Sequence, residues 1–393
     1  MKNIIFVINN INTGGVQSSL LNLLAEIHDK YHITLLCFNT RQSKEKLSLL
    51  PDDIRFIVAK SPFKYFGLSK AEARSNLFLY CARAFWAVVT KIFGRSFAIK
   101  LMLPFQKTLG TYDCAVSYLH EASQKSFYGG CNEFVLRKIK AKKKVAWLHC
   151  DFGLCGANSK ASEKIYRRFD KIIACSEGTK QAFLRCMPQF KQKCTAIRNC
   201  NNYEHIRRLA GTGIQYDKLK FNIVTVARLS PEKGIERALA AIKECTAAGH
   251  KLHYHIVGWG QQAEYLKKLT EEYGLTDTVT FYGNRNNPYP YIKNADLFLL
   301  PSYHEAAPMV FDEAACLGVP VLATQTTSTD EMIARNNSGF VCENSQKGIS
   351  NALSEISEHR DKLTVIKANL ECRRFTNKNS IEKLGEIIDE IYS

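Results

Sequence analysis

Residues 302–324, SYHEAAPMVFDEAACLGVPVLAT, predict a ligand-binding turn of an α/β sheet. An apolar run ending at Pro301 indicates a buried strand just before them, and the pattern predicts a helix over 309–317. Glu305 stands on the loop between the two, and Glu313 stands one turn into the helix. Ligands of open α/β sheets bind where strands end and helices begin, with anions at the helix N-terminus. Carboxylates accept hydrogen bonds from hydroxyls, so a ligand that combines phosphate with sugar hydroxyls fits this stretch.

The rest of the chain repeats this strand-to-helix alternation. Residues 2–9 predict a strand that leads through a glycine turn into an apolar helical pattern, and residues from 221 onward predict a second series of the same kind. Such alternation is typical of parallel doubly wound sheets, and 393 residues exceed one ordinary core. We therefore predict two α/β domains with a linker near 211–218. The predicted ranges are 1–212 for the first domain, 218–375 for the second and 376–393 for a final helix, which could pack on either domain.

Composition narrows the class of protein. The chain is 46% hydrophobic and 23% charged, as in globular proteins, and its first residues run into a glycine turn rather than a secretory cleavage site. The longest apolar stretch, 77–93, is interrupted by Arg83 and Lys91, so a membrane-spanning helix is not expected. The 14 cysteines are scattered without a CxxC pair. We expect reduced, mostly buried thiols, no zinc site and a cytoplasmic protein.

The net charge of +17 is concentrated in the first 212 residues, which hold 34 Lys and Arg against 14 Asp and Glu. A basic half of this kind attracts nucleic acid, an anionic membrane surface or a phosphorylated substrate. Residues 60–107 hold nine basic residues, one acid and many aromatics, and they predict one or two amphipathic helices. These helices could lie in the headgroup region of an anionic membrane or simply pack on their own domain. A second basic run, 137–144, could assist them or could be a solvated lead-in to the strand at 145–148.

Several residues after predicted strands are candidates for binding chemistry. Arg228 and Lys233 follow the strand at 221–227, at a spacing that lets both cations converge on a diphosphate. Other candidates at strand ends are Gly14 and Gly15, Gly258 in the GWG turn, and His149 with Asp151. Taken singly, each has an ordinary structural alternative, such as a turn, a surface charge or a core histidine. Together they are matched to one ligand, which favours a binding site.

The sequence resembles the retaining family 4 glycosyltransferases of the GT-B fold. The motifs that carry the resemblance are the Gly-Gly loop, ARLSPEKG, IVGWG, FYG, NADLFLLPS and the E-x7-E segment. The resemblance implies two Rossmann-like doubly wound domains facing a central cleft. It also implies a nucleotide-sugar donor held by the second domain and an acceptor held by the first. The catalytic residues that it implies are Glu305, His149, Arg228 and Lys233. The implied donor-binding residues are Gly14, Gly15, Arg228, Lys233, Gly258, Glu305, Ala307, Pro308, Met309, Val310 and Glu313.

The resemblance also assigns roles. Arg228 and Lys233 neutralise the donor diphosphate, Glu305 contacts the transferred sugar and Glu313 accepts hydrogen bonds from the ribose. Gly15 lies near the diphosphate and His149 near the sugar. The family commonly has glycine directly after the first Glu, whereas this chain has Ala306. No DxD-type metal motif is present, so two cations are expected to do a metal's work and no cofactor is expected.

We therefore expect a retaining glycosyltransferase, acting with a UDP-sugar by default, that extends a lipid-linked or phosphorylated glycan in surface polysaccharide biosynthesis. It is expected at the inner face of the cell membrane, without a nucleic-acid partner. The alternatives are another GT-B nucleotide-sugar enzyme, such as an epimerase or hydrolase, and a non-catalytic nucleic-acid-binding or regulatory protein.

Overall fold

The computed structural model describes residues 1–12, 14–40, 47–60, 62–211 and 213–390. The chain divides into two compact units. Unit 1 comprises Met1–Asn201 with Asn377–Ser393, and unit 2 comprises Asn202–Thr376. Each unit is an α/β structure built on a parallel sheet, as the alternation predicts.

Unit 1 contains a seven-stranded parallel sheet in the order β3-β2-β1-β4-β5-β6-β7. The central strand β1 is apolar on both faces, since helices cover the sheet on either side, and Ile4 to Ile8 are fully buried. The strand order reverses between β1 and β4, which makes the ends of these two strands the switch point of the sheet. The strands are β1 (Asn3–Asn10), β2 (His32–Asn39), β3 (Arg55–Val58), β4 (Leu109–Ser117), β5 (Ile139–Leu148), β6 (Lys171–Ala174) and β7 (Cys194–Ala196).

The helices of unit 1 pack into two apolar clusters, one on each face of this sheet. The predicted amphipathic segment at 60–107 contains two consecutive helices, α3 (Leu77–Phe93) and α4 (Arg95–Met102), joined at Gly94. The helices before the chain enters unit 2 are α1 (Gly15–Ile27), α2 (Lys70–Ala73), α3 (Leu77–Phe93), α4 (Arg95–Met102), α5 (Cys131–Lys138), α6 (Lys160–Tyr166) and α7 (Glu177–Cys186). Short 3-10 turns lie at Phe63–Tyr65, Leu103–Phe105 and Pro188–Lys193.

Unit 2 contains a six-stranded parallel sheet in the order β10-β9-β8-β11-β12-β13, with its switch point between β8 and β11. Apolar clusters again fill both faces. The strands are β8 (Phe221–Val226), β9 (Leu252–Val257), β10 (Val279–Gly283), β11 (Leu297–Leu300), β12 (Val321–Thr324) and β13 (Gly339–Cys342). The helices are α8 (Tyr203–Leu209), α9 (Ile235–Ala247), α10 (Ala263–Glu272), α11 (Tyr289–Lys293), α12 (Met309–Cys316), α13 (Gln346–Glu358) and α14 (Asp361–Cys372), with a 3-10 turn at Pro231–Lys233 and a π-helical turn at Asp330–Ala334.

The boundary between the units lies earlier than the linker predicted at 211–218. The chain enters unit 2 at Asn202, because α8 buries Ile206 and Ala210 in the apolar cluster of that unit. Thr212, where the first predicted domain ends, lies outside the described residues. Because α8 is polar and has few apolar positions, the local sequence does not indicate which unit this helix packs on.

The chain returns to unit 1 through the last helix, α15 (Lys378–Asp389). Leu384, Ile387 and Ile388 are buried in the apolar cluster on the sheet face that is lined by Ile4 and Phe6 of β1. Asn377, just before the helix, donates a hydrogen bond to the Asn201 carbonyl at 2.8 Å and accepts one from the Asn201 amide at 3.1 Å. The two crossings of the chain between units are thus tied to each other. Residues 391–393 of the predicted final helix lie outside the described residues.

The basic run 137–144 is not a solvated lead-in, because most of it belongs to β5. Lys142 pairs with Asp113 at 2.8 Å, and the Lys143 ammonium donates to the Ile387 carbonyl at 2.6 Å. These lysines fasten β5 to β4 and to α15. Among the described residues, no helix is both long and apolar enough to cross a membrane.

Candidate functional site

The loops that follow β8 and β11 meet at the switch point of the unit 2 sheet. The Lys233 ammonium lies 2.5 Å from Glu305 Oε1, and Ser302 Oγ donates to the same oxygen at 2.7 Å. The Tyr303 amide donates to the Glu232 carbonyl at 2.9 Å, so backbone and side chains both bridge the two loops. The structure therefore brings together a cation and a carboxylate that are 72 positions apart in sequence, at the edge of the sheet where ligands bind.

Glycines allow these loops to approach closely. A Cβ at Gly258 would lie 1.9 Å from the Ala227 carbonyl oxygen, and one at Gly260 would lie 2.1 Å from that of Leu229. Gly234 adopts φ +60°, and a Cβ there would lie 2.3 Å from the Pro301 oxygen. Side chains at these positions would separate the turns after β8, β9 and β11. The glycines of the GWG turn thus let this turn pack directly against the backbone that carries Arg228.

Arg237, which the sequence analysis missed, clamps the same region. It is 7% exposed, donates to the Pro301 carbonyl at 2.5 Å and to Asn344 Oδ1 at 2.9 Å, and its guanidinium lies 3.7 Å from the Tyr303 ring centroid. Burial lowers its pKa, with nearby tyrosine and carboxylate opposing that shift. The residue holds the loop that presents Glu305. Its sequence position, on an amphipathic helix, is indistinguishable from that of a surface cation.

Glu313 lies on α12 in the second carboxylate position of the opening stretch. Burial, and secondarily the Asp312 carboxylate, raise the pKa of Glu313 to about 7. No hydrogen bond to its carboxylate occurs among the described residues, and its charge helps to raise the pKa of the neighbouring Tyr289 phenol. A partly buried carboxylate without donors is a favourable acceptor for ligand hydroxyls, because their hydrogen bonds would replace lost solvation.

The remaining donor-side candidates lie on the same edge of the sheet as the Lys233–Glu305 pair. Arg228 is exposed on the loop after β8, and Ala307 and Pro308 lead into α12, which begins at Met309 as predicted. The first amides of α12, including that of Val310, face the N-terminal end of the helix, where an anion is favoured. Among the described residues, Lys233 and Glu305 are thus hydrogen-bonded, while neither Arg228 nor Glu313 forms a side-chain hydrogen bond or ion pair with them.

Unit 1 contributes a second group of candidates at the carboxyl edge of its own sheet. Gly14 caps the N-terminus of α1 by accepting the Ser18 amide at 3.0 Å, and Gly15 is exposed in the first turn. Their position after β1, at the switch point, is the one where a helix N-terminus meets a bound anion.

His149 follows β5 and is only 9% exposed, yet neither ring nitrogen has a hydrogen-bond partner among the described residues. Its ring is parallel to Trp147 at 6.0 Å and lies 4.6 Å from Tyr118. Burial, with His120 as a second cause, holds the pKa of His149 well below its usual range. The imidazole is therefore neutral at physiological pH, with a donor and an acceptor both available to a ligand.

His120 is a further residue that the sequence analysis missed. Burial and the neighbouring Arg95 lower its pKa to about 4, and its Nδ1 lacks a partner among the described residues. It follows β4 as His149 follows β5, so the rule that selected His149 would have selected it too. Asp151, by contrast, accepts the Gly153 and Leu154 amides at 3.1 and 3.2 Å. It forms a turn rather than standing free for a ligand.

Comparison with known proteins finds a family that unit 2 resembles. Residues 215–371, which make up most of unit 2, match the family described as "Glycosyl transferases group 1". An amylovoran biosynthesis glycosyltransferase, AmsK of Erwinia amylovora, is 28% identical over 182 residues, which cover 43% of this chain and 44% of that protein. A GDP-mannose-dependent phosphatidylinositol monomannoside mannosyltransferase of Mycobacterium tuberculosis is 30% identical over 156 residues, covering 37% and 40%.

The whole chain has a counterpart among solved structures. HepE of Anabaena, solved in complex with UDP-glucose, superposes with a TM-score of 0.70 at 17% identity, covering 99% of this chain and 100% of that one. At this identity the likeness shows the fold, which is GT-B, as the sequence predicts. The chain spans about two fifths of the length of the curated relatives that it matches.

Among the residues that the structure describes, no group of three or more His, Cys, Asp or Glu side chains is arranged to hold a metal ion. The expectation of a reaction without a metal remains a prediction.

Proposed function

We propose that the protein is a retaining glycosyltransferase that moves a sugar from a nucleotide-sugar, with UDP as the expected nucleotide, to a lipid-linked or phosphorylated glycan of a surface polysaccharide. The observation that carries the proposal is the Lys233–Glu305 pair at the switch point of a glycosyl transferases group 1 domain. HepE, a solved protein of the same fold, binds UDP and UDP-glucose, which supports a nucleotide-sugar donor. Relatives that build amylovoran and mannosylate a phosphatidylinositol glycan support the acceptor class.

The Lys233–Glu305 pair suggests how the donor is accepted. In the structure the Lys233 ammonium and the Glu305 carboxylate satisfy each other, so neither charge is left unpaired at a partly buried site. A donor diphosphate would take Lys233 and Arg228 as counter-ions, while a hydroxyl of the transferred sugar would donate to the released Glu305 carboxylate. Because each lost interaction is replaced by one of the same kind, the exchange costs little and discriminates against ligands that lack either the diphosphate or the sugar.

The chemistry would follow from leaving-group stabilisation. Two cations on the diphosphate lower the barrier to its departure, and the sugar acquires oxocarbenium character. The acceptor hydroxyl would attack from the face that the diphosphate leaves, with a departing phosphate oxygen taking its proton, so that the anomeric configuration is retained. Neutral His149 would hydrogen-bond the sugar rather than supply a charge, and Glu313 would accept from the ribose.

If the acceptor is lipid-linked, the enzyme would act at a membrane surface. The first 212 residues, with 34 basic against 14 acidic residues, are suited to an anionic inner leaflet and to a phosphate-bearing acceptor. Peripheral association at that leaflet is thus part of the proposal.

The proposal is tested by donor binding and slow donor hydrolysis, measured over UDP-, GDP- and ADP-sugars with and without EDTA. We expect at least one UDP-sugar to bind, unaffected by EDTA, and Lys233→Ala to weaken binding by about 10- to 100-fold, since charge-assisted hydrogen bonds to phosphate are lost. Arg228→Ala should do the same. Lys362→Ala is the matched control, because Lys362 is an exposed lysine paired with Glu355 at 2.6 Å in the same unit. Unchanged binding in the Arg228 and Lys233 variants would overturn the site assignment.

A further inference from the structure

The outer faces of α3 and α4 carry an unusual concentration of exposed apolar side chains. On α3 they recur at spacings of three and four, which places them on one face of the helix. Phe78 is 73% exposed and Ile92 66%, and the ring centroids of Phe93 and Phe97 lie 5.2 Å apart, so the face continues from α3 onto α4. We name this surface the apolar stripe; its members are Leu77, Phe78, Phe85, Val88, Ile92, Phe93, Phe97, Leu101 and Phe105.

The apolar stripe is not the face by which α3 packs on its own unit. The opposite face of α3 is already packed: Trp86 and Val89 lie against the unit 1 core, and Thr90 is fully buried. Arg83 points inward and donates to the Leu68 carbonyl at 2.7 Å. With its inner face satisfied, the helix keeps its aromatic face in water, and a continuous exposed apolar patch of this kind marks an interaction site.

The charges around the stripe decide which partner fits. Arg74, Lys91, Lys100 and Lys107 are exposed, and none forms an ion pair among the described residues. The one acid of the segment, Glu72, is buried, and it accepts hydrogen bonds from the Ser69 amide and from Asn12. The described part of residues 60–107 therefore presents exposed apolar side chains and unpaired cations and no exposed carboxylate. A bilayer with anionic headgroups offers the complement to both.

The stripe is also connected to the predicted acceptor side of unit 1. Arg95, the first residue of α4, forms a fully buried ion pair with Glu121, and its amide donates to the Gln124 carbonyl at 2.7 Å. Glu121 directly follows His120, whose charge would lower the pKa of His149. The start of α4 is thus fixed to the loop that carries His120, the neighbour of His149.

We propose that the apolar stripe is the membrane-docking surface, with its aromatic side chains inserted at the headgroup–acyl boundary of an anionic bilayer and the four cations on lipid phosphates. The role of this docking rests on the proposed function: it would hold unit 1, which carries His149, at the membrane surface where a lipid-linked acceptor lies. The helices lie in the interface and do not span it, as expected for a one-sided amphipathic segment.

The test is flotation of the full-length protein with vesicles of phosphatidylcholine alone or mixed with phosphatidylglycerol. We expect wild type to bind the mixed vesicles at least tenfold more tightly, with salt weakening but not abolishing binding. Phe78→Ser/Phe85→Ser/Ile92→Ser should lose at least tenfold, whereas the control Leu219→Ser/Tyr265→Ser/Val365→Ser, which removes exposed apolar groups from unit 2, should bind as wild type. Separately, Phe85→Trp should show a blue-shifted emission that brominated lipids quench.

Three outcomes would overturn the docking surface: equal binding by the triple stripe variant, no quenching by brominated lipid, or a wild-type dimer that the stripe substitutions convert to a monomer. The last result would make the stripe an interface between copies. UDP binding without vesicles should be unchanged in the stripe variant, because these residues lie outside the donor site. A wild type that binds vesicles but no nucleotide would contradict the proposed function and leave the docking surface standing.

Discussion

At the scale of single residues, Glu313 ties the site to pH. Its pKa rises from an ordinary 4.5 to about 7 because the folded unit buries it. Between these two values the folded state holds a proton that the unfolded state has lost. The free energy of unfolding therefore falls as pH rises through this window, by roughly 1.4 kcal/mol per pH unit, and is level above it.

The same shift predicts how donor affinity responds to pH. On the proposed function, ribose hydroxyls donate to the ionised carboxylate, so binding expels the proton and UDP affinity should rise up to about pH 7 and then level off. Calorimetric titrations with UDP across this range, in wild type and Glu313→Gln, would measure it. The variant should bind with little pH dependence and should lack the decline in unfolding free energy. An unchanged pH profile in Glu313→Gln would show that another group titrates.

At the scale of elements, the glycine turns make a prediction about loop packing. In Gly258→Ala the new methyl would meet the Ala227 carbonyl at 1.9 Å, so the turn after β9 must move away from the loop that carries Arg228. We expect a loss of more than about 2 kcal/mol in unfolding free energy and a weaker affinity for UDP. Gly274→Ala is the control, since Gly274 also has a positive φ but nothing within 4 Å of an added methyl. It should cost about 1 kcal/mol and leave UDP affinity unchanged; similar affinity losses in both variants would contradict the packing argument.

The elements also show how far local sequence reaches. Apolar runs and turn residues predicted β1, β8 and the helix beginning at Met309, because each of these signals lies within a few neighbouring positions of the sequence. Strand order is not local, so the sequence could place Lys233 and Glu305 on loops but could not show that they touch. Arg237 was missed for the same reason, since its partners lie more than 60 positions away. The resemblance supplied what periodicity could not, namely roles for residues on separate loops.

At the scale of the whole molecule, the return of α15 makes the end of the chain part of the first core. Ile388 is fully buried among residues of β1 and β2, and Lys2 pairs with Asp389 at 2.5 Å. Ile388→Ala should therefore lower the unfolding free energy of unit 1 by about 2–4 kcal/mol through a cavity. Unit 2, which lacks this helix, should be unaffected. Hydrogen exchange followed by mass spectrometry distinguishes the two units. We expect faster exchange of the amides of β1 and β2 and unchanged exchange in β8 and β11.

The control is Val365→Ala on α14, a 62%-exposed position in unit 2 that should change neither pattern. If Ile388→Ala accelerated exchange equally in both sheets, the units would unfold as one, and the chain would have to be treated as a single cooperative body. If only unit 1 responds, the donor half folds independently of α15. In that case the group 1 domain should keep its affinity for UDP in the Ile388 variant, because Lys233, Glu305 and Glu313 all lie on elements of unit 2.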